Sequence, residues 1–333
     1  MPSLLNLLGL PLSIALSFRK GFQPPLFSKV PIYNPLMGQS TLPSTFSVLC
    51  WNIQYCASRK YHFFYDGGRD VHASIDVVQK TLTELSDFLR ELDPDIIALQ
   101  EVDRNSKRSA YIDQILHIRD ALPLYAKTEA TYFQVPFVPI PPYNPLSKVD
   151  CSLLTLSRSL MKHAARHQLP LLNESPIRQS FNLKRAILES RHPIANTQLH
   201  VANTHLSAFS FGDGTLKKQV DCILKWISER PKNVPWIVMG DFNMLPVGDD
   251  PHRLLTPKSY ALDKENPIVP LTQKYQHVFP KEAHTYLPFG HETPDRKIDY
   301  IFFSEHLSIE EARVCTKVHL SDHLPLYVGF SLR

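Results

Sequence analysis

Trp236 to Met239 is a run of four apolar residues that passes directly into Gly240-Asp241-Phe242-Asn243, and no other stretch constrains the chain as much. An apolar run of this kind predicts a buried strand, and Gly240 then lets the backbone turn with no side chain in the way. Asp241 and Asn243 sit two residues apart at the strand's end, so an extended backbone points both polar groups to one side. Taken alone, the stretch is equally a strand closed by an ordinary Asx turn. The two readings separate because other strand ends in this chain also carry side chains that seek a metal or a phosphate.

Composition sets the outer limits. With 333 residues and 43% hydrophobic content, the chain can bury a large core as one big domain or two ordinary ones. The balance of 36 Lys+Arg against 32 Asp+Glu gives a net charge of +4, which neither announces nor excludes a nucleic-acid binder. The five cysteines are odd in number and scattered, with no Cys-x-x-Cys pair, so neither a disulfide framework nor a zinc site is indicated. A reducing, cytoplasmic setting is expected. Leu4 to Phe18 is apolar, but Pro11 interrupts it and it is too short to span a bilayer. Arg19 and Lys20 follow this run instead of preceding it, against the secretory pattern. A segment docked on the domain, or a peripheral membrane contact through residues 4–18, is the expectation, with an export signal as the alternative. Residues 21–46, rich in Pro and Ser, read as a linker. The division is therefore 1–44 for an apolar segment and linker, and 45–333 for the folded domain. Nothing points to an obligate protein partner.

Along the domain, Phe46, Val48 and Cys50 alternate in a strand that ends in Trp51-Asn52-Ile53. Ile75, Val78, Leu82, Leu85, Leu89 and Leu92 form a single helical stripe, stopped by Asp93-Pro94. A buried strand then runs from Asp95 to Glu101, and a helix is expected at 111–122. Residues 131–146, aromatic and proline-rich, read as a long exposed loop or covering flap. Strands are expected at 152–157, 184–189 and 197–204, and a helix at 215–229. After the Trp236 strand, 247–296 reads as irregular, followed by strands at 298–303 and 326–330. Strands and helices alternate too irregularly for a barrel of equal units. The expected architecture is α/β, with two sheets face to face and helices outside.

Six short segments carry a resemblance. Trp51-Asn52-Ile53, Gln100-Glu101-Val102, Asn203-Thr204-His205-Leu206, Gly240-Asp241-Phe242-Asn243, Ile298-Asp299-Tyr300-Ile301 and Ser321-Asp322-His323-Leu324-Pro325 resemble the ordered motifs of the endonuclease/exonuclease/phosphatase superfamily. The resemblance covers roughly residues 45–333. It implies a four-layer α/β sandwich with two mixed sheets, and hydrolysis of phosphate esters with Mg²⁺, Mn²⁺ being a possible substitute. Physically the set suits that reaction, because attack of water on a phosphodiester builds charge that the protein must position and neutralise. Mg²⁺ takes hard oxygen ligands and needs only one or two carboxylates. Glu101 and the amide oxygen of Asn52 suit it, with Asp322 in support. By the same resemblance, Asp241 orients or deprotonates the water, and Asn243 holds the nucleophile or phosphate. His323 contacts the phosphate with Asp299 behind it, and His205 donates to a phosphate oxygen or the leaving group.

The substrate is left open. Arg104, Lys107 and Arg108 closely follow Glu101 and are candidates for binding an anionic substrate, or form a solvated basic turn. Nuclease-type cleavage of nucleic acid is the leading reading. A phospholipid- or phosphoinositide-directed enzyme of sphingomyelinase type is the alternative, and a catalytically inactive binding relative is a second one.

Overall fold

The computed structural model describes residues 22–208, 210, 212–254 and 266–333, so the apolar segment at 4–18 lies outside the described residues. Among the described residues, fourteen strands form two seven-stranded sheets. In spatial order the first sheet is β1 (Phe27–Lys29), β7 (His163–Gln168), β8 (Ala186–Ile194), β9 (Thr197–His205), β10 (Trp236–Asp241), β12 (Asp299–Phe303) and β11 (Gln276–His277). The second is β13 (Leu307–Val314), β14 (Leu326–Leu332), β3 (Thr45–Asn52), β4 (Ile96–Asp103), β6 (Ser147–Ser157), β5 (Ala126–Val138) and β2 (Ile32–Tyr33). The helices are α1 (Ile75–Leu92), α2 (Gln114–Ala121), α3 (Pro176–Ser180), α4 (Thr215–Ser228) and α5 (Val269–Lys274).

The period-2 pattern of β3 shows why four layers form. Phe46, Val48 and Cys50 pack in a core shared with Val201, Ile237, Met239 and Ile301 of the opposite sheet. Leu49 and Trp51 point the other way, into a cluster with Val78, Leu82, Leu85 and Leu89 of α1. Each fully buried side chain of this kind contributes about 1.5–3 kcal/mol. On the far side, Val220, Ile223, Trp226 and Ile227 of α4 cover Ala202, Val238, Tyr300 and Phe302 of the first sheet. The result is the α/β four-layer sandwich, with both sheets mixed.

The structure departs from the sequence reading in places. The stretch at 131–146 is not a loop over its first half, because β5 continues to Val138. Its pairing with β6 shifts register between Val135 and Val138, so Pro136 falls in an irregularity where no ladder donor is needed. Tyr132, Phe133, Val135 and Val138 are buried there. Within the Pro- and Ser-rich stretch, β1 pairs with β7 and β2 with β5, each at a sheet edge. The 247–296 region holds α5 and β11, while 255–265 lies outside the described residues. All five cysteines are free. No helix among the described residues is long and apolar enough to cross a membrane.

Candidate active site

The strands end together at one edge of the sandwich. β9 and β10 run parallel with His205 opposite Asp241, and β12 runs antiparallel with Asp299 opposite Asp241. Gly240 permits this packing: a Cβ there would lie 1.9 Å from the carbonyl oxygen of Thr204. Across the gap, β3 and β4 are parallel, with Asn52 opposite Gln100. The two sheets are tied at this level by Gln100 Nε2 donating to Asn203 Oδ1 at 2.8 Å. Asn203 Nδ2 in turn donates to the carbonyls of Leu99 and Leu154, both at 3.1 Å.

Just above this tie, three donors surround one oxygen. Asp241 Oδ2 accepts from Asn52 Nδ2 at 3.0 Å and lies 3.2 Å from His205 Nε2 and 3.6 Å from His323 Nε2. Asp241 Oδ1 accepts the backbone N–H of Asn243 at 2.9 Å, and one side-chain N–H of Asn243 goes to the Leu206 carbonyl at 3.1 Å. Behind His323, its Nδ1 faces both oxygens of Asp299 at 2.9 and 3.1 Å, and Thr285 Oγ1 donates to Asp299 at 2.6 Å. Trp51 Nε1 donates to the His323 carbonyl at 2.8 Å, and Ser321 Oγ to the Asn52 carbonyl at 2.8 Å, so β3 fixes the histidine's segment.

Burial makes the charges here interdependent. It works against the imidazolium of His323, but Asp299, Asp241 and Asp322 together outweigh it and hold the pKa up to about 10. Burial pushes Asp241 up to about 7; the His323 cation opposes this and the Asp299 charge adds to it. Asp322 is likewise pushed up to about 7 by burial, with His323 opposing and Glu101 and Asp66 adding. Burial, reinforced by Arg185 and His323, takes His205 well below its ordinary value, so its ring is neutral. Its Nε2 lies 3.2 Å from Asp241 Oδ2 and its Nδ1 3.4 Å from the Tyr132 hydroxyl.

Glu101 reaches the site by a local distortion. Strict alternation would send it to the α1 side with Ile97 and Leu99. Instead the β4–β6 register shifts between Leu99 and Val102, and Glu101 adopts φ +58°, which turns its carboxylate to Asn52 Nδ2 at 3.1 Å. Asn243, Gln54, Tyr55 and Cys56 also have positive φ, a concentration of backbone strain at about 1–3 kcal/mol each.

Several expected site residues have partners that their spacing did not show. Asn52 presents its NH₂ to Glu101 and Asp241, and its amide oxygen, expected to meet a metal, accepts the N–H of Gln54 at 3.0 Å. Arg104 is paired with Glu129 at 2.7 Å and Asp113 at 3.4 Å. Arg108 lines the cleft but is held by both oxygens of Asp103, at 2.8 and 2.9 Å. Lys107 lies in a short turn beside it. A cationic group that sequence reading missed is Arg185. It is buried, its guanidinium lies 5.4 Å from the Tyr132 ring centroid, and its Nη1 has no hydrogen-bond partner. Only its position beside a strand that flanks the His205 strand could have signalled it. Gln54 was also missed: its Nε2 donates to Asp322 at 2.9 Å, leaving a buried Oε1 with no partner.

Oxygen donors for a cation therefore converge. Asp241, Asp299 and His323 place ligand atoms within 4.8 Å of one another, a cluster able to hold a divalent ion. Glu101 and Asp322 line the same cleft, and Gln54 reaches Asp322 through its Nε2 at 2.9 Å. All of these except Asp299 and Gln54 line one cleft of about 810 Å³.

The family model described as the Endonuclease/Exonuclease/phosphatase family matches residues 49–323. The chain belongs to this family. Among solved structures, one family protein from Beutenbergia cavernae DSM 12333 is 20% identical, with a TM-score of 0.59, covering 86% of this chain and 72% of that one. The human Nocturnin catalytic domain with bound sulfate anion is 17% identical, with a TM-score of 0.56 over 91% of this chain and 98% of that one. D. rerio TDP2 complexed with a single-strand DNA product is 14% identical, with a TM-score of 0.55 over 86% and 99%. These likenesses establish the family's fold in this chain. No curated protein matches it.

Proposed function

We propose that this chain hydrolyses phosphodiesters by in-line attack of water, assisted by Mg²⁺. The observation that carries this reading is the convergence of Asn52, His205 and His323 on one oxygen of a buried carboxylate, Asp241, at the edge of a cleft. Asp241, raised toward neutrality by burial, is poised to take the proton of an attacking water. The His323 imidazolium, oriented by Asp299, faces charge that develops on a non-bridging oxygen. The neutral ring of His205 has one N–H, and with Nε2 beside Asp241 it positions that carboxylate, while the free Nη1 of Arg185 anchors a phosphate oxygen.

Glu101 and Asp322, both lining the cleft, would hold the cation, since hard oxygen donors suit Mg²⁺. Bound there, it would withdraw charge from the phosphate and leaving oxygens. Single-stranded nucleic acid is one substrate reading, favoured by the DNA product bound to the D. rerio relative. The test is turnover of bis(p-nitrophenyl) phosphate with Mg²⁺ or Mn²⁺, in the wild type and in Asp241→Asn. Metal-dependent turnover that falls by roughly 10³-fold or more in the folded variant supports the reading. Equal rates in both proteins, or none in the wild type with either metal, overturn it.

A further inference from the structure

The cleft has two unlike sides. The catalytic carboxylates and histidines occupy one, and an apolar wall from β5, the turn after it and the α3 region forms the other. Phe133, Val138 and Leu146 lie at its base, 6%, 3% and 7% exposed. At the rim, Ile140 and Ile177 are 56% and 61% exposed, with Phe181 between rim and base. The amide of Asn182, also on this side, is engaged by Glu174 at 2.7 Å. Such a wall gains by releasing water to an apolar group and offers little to a sugar hydroxyl or a base edge.

The charge around the cleft points the same way. A nucleic-acid strand carries a phosphate on every nucleotide and needs a track of available cations. Here Arg104 is taken by Glu129, Arg108 by Asp103 and Arg296 by Asp295 at 2.6 Å. Among the cationic side chains that line the cleft, what remains is the unpartnered Nη1 of Arg185 and, on the rim, Arg178, which makes no ion pair among the described residues. That is provision for about one anionic group next to a large apolar surface.

Building on the phosphodiesterase reading, we propose that the apolar wall binds an aliphatic chain esterified to the scissile phosphate, so that the substrate class is an alkyl or acyl-chain phosphodiester and not a polynucleotide. In the reaction, the oxygen of water bonds to phosphorus and the P–O bond to the leaving alcohol breaks. The water's proton ends on that alcohol, leaving a phosphomonoester. The same chain could arrive as a soluble amphiphile or in a lipid bilayer.

The experiment uses p-nitrophenyl phosphodiesters with methyl, butyl and octyl chains, each below its micelle concentration, with Mg²⁺ or Mn²⁺. Each buried methylene transfers ~0.8 kcal/mol, so kcat/KM is expected to climb by up to about fourfold per methylene, and at least 10²-fold from methyl to octyl. Ile140→Glu with Ile177→Glu, both at exposed positions, is expected to cut the octyl-to-methyl ratio about tenfold. A hexadecyl ester in phosphatidylcholine vesicles identifies the source: turnover there supports a bilayer lipid, and turnover of the monomeric octyl ester alone supports a soluble amphiphile. A flat chain-length series overturns the proposal, as does faster cleavage of single-stranded DNA than of the octyl ester. Failure of the underlying reading looks different, since then no ester is cleaved, the methyl ester included. Calorimetry with octylphosphonate on the metal-free protein decides the pocket even in that case. Binding with a negative heat-capacity change that the double variant abolishes upholds the chain site, and the absence of binding refutes it.

Discussion

Replacing His192 by Gln tests whether the interior between the sheets resists acid for the reason the structure gives. His192 is fully buried, with Nε2 2.8 Å from Ser190 Oγ and Nδ1 3.1 Å from Ser157 Oγ. Burial, with a smaller push from His200, lowers its pKa from 6.5 to about 3. Because the folded value lies below the unfolded one, the stabilisation is complete above pH ~6.5 and is lost as pH falls toward 3. Each pH unit in that window removes about 1.4 kcal/mol, so from pH 7.5 to pH 4.5 this one residue accounts for about 2.7 kcal/mol. Against a total stability of order 5–15 kcal/mol, that is a measurable share. Urea unfolding of the wild type and of His192→Gln at both pH values isolates the term. The packing lost in the variant cancels when each protein is compared with itself. The expected result is a pH-induced loss about 2.7 kcal/mol smaller in the variant, with equal urea dependence. Parallel losses in the two proteins would falsify the assignment of a buried neutral imidazole.

Three further outcomes concern the site. Glu101→Gln is expected to lower Mg²⁺ affinity by about tenfold or more in a folded protein, measured by titration calorimetry; unchanged affinity removes Glu101 from the metal set. Asp299→Asn, which takes the paired carboxylate from His323, should reduce kcat by roughly 10²-fold or more with little change in KM, and a near-normal kcat counts decisively against the pair. Arg185→Met should raise KM by about 10–100-fold, the loss of one charged hydrogen bond, while kcat changes less; a KM that stays put means Nη1 does not meet the phosphate.

The parts of the fold that sequence revealed are those where one physical signal acts alone. The α1 stripe is such a case, and so is the apolar run of β10, buried throughout. Edge strands, and β7 next to one, were not legible. β13 exposes Glu310, Glu311 and Arg313 in succession and has no alternation to read, and β7 mixes His and Arg with alanines. β5 was misread because Pro136 argues against a strand unless a register irregularity excuses its missing donor, and that irregularity exists only in the paired structure. Charge partners were equally hidden. The carboxylates that take up Arg104 and Arg108 come from Glu129, Asp113 and Asp103, and nothing in local spacing selects them over a phosphate. The orphan atoms of Gln54 and Arg185 appear only once packing has stripped them of water.

Most of the site follows from the same alternation that builds the core. Asn52 shares parity with Val48 and Cys50, His205 with Val201 and Asn203, Asp241 with Ile237 and Met239, and Asp299 with Ile301 and Phe303. Each of these strands sends the apolar residues of that parity between the sheets, so the next residue of the same parity at the shared edge must also point into the gap, where the opposite sheet meets it. This is why a motif of strand ends, read one at a time, converges on Asp241 Oδ2 without any long-range information in the sequence. Glu101 is the exception that needs more. Its parity assigns it to the helix side, and only the bulge after Leu99 and the left-handed backbone at Glu101 itself bring its carboxylate round to Asn52. A residue held there against its own strand geometry costs folding free energy of about 1–3 kcal/mol, and the compensation is to be sought in what its carboxylate binds. The strain therefore separates the roles of the acidic residues. Asp241 and Asp299 sit where the fold puts them, whereas Glu101 is placed at a cost, which is the structural argument for assigning the cation to Glu101 first.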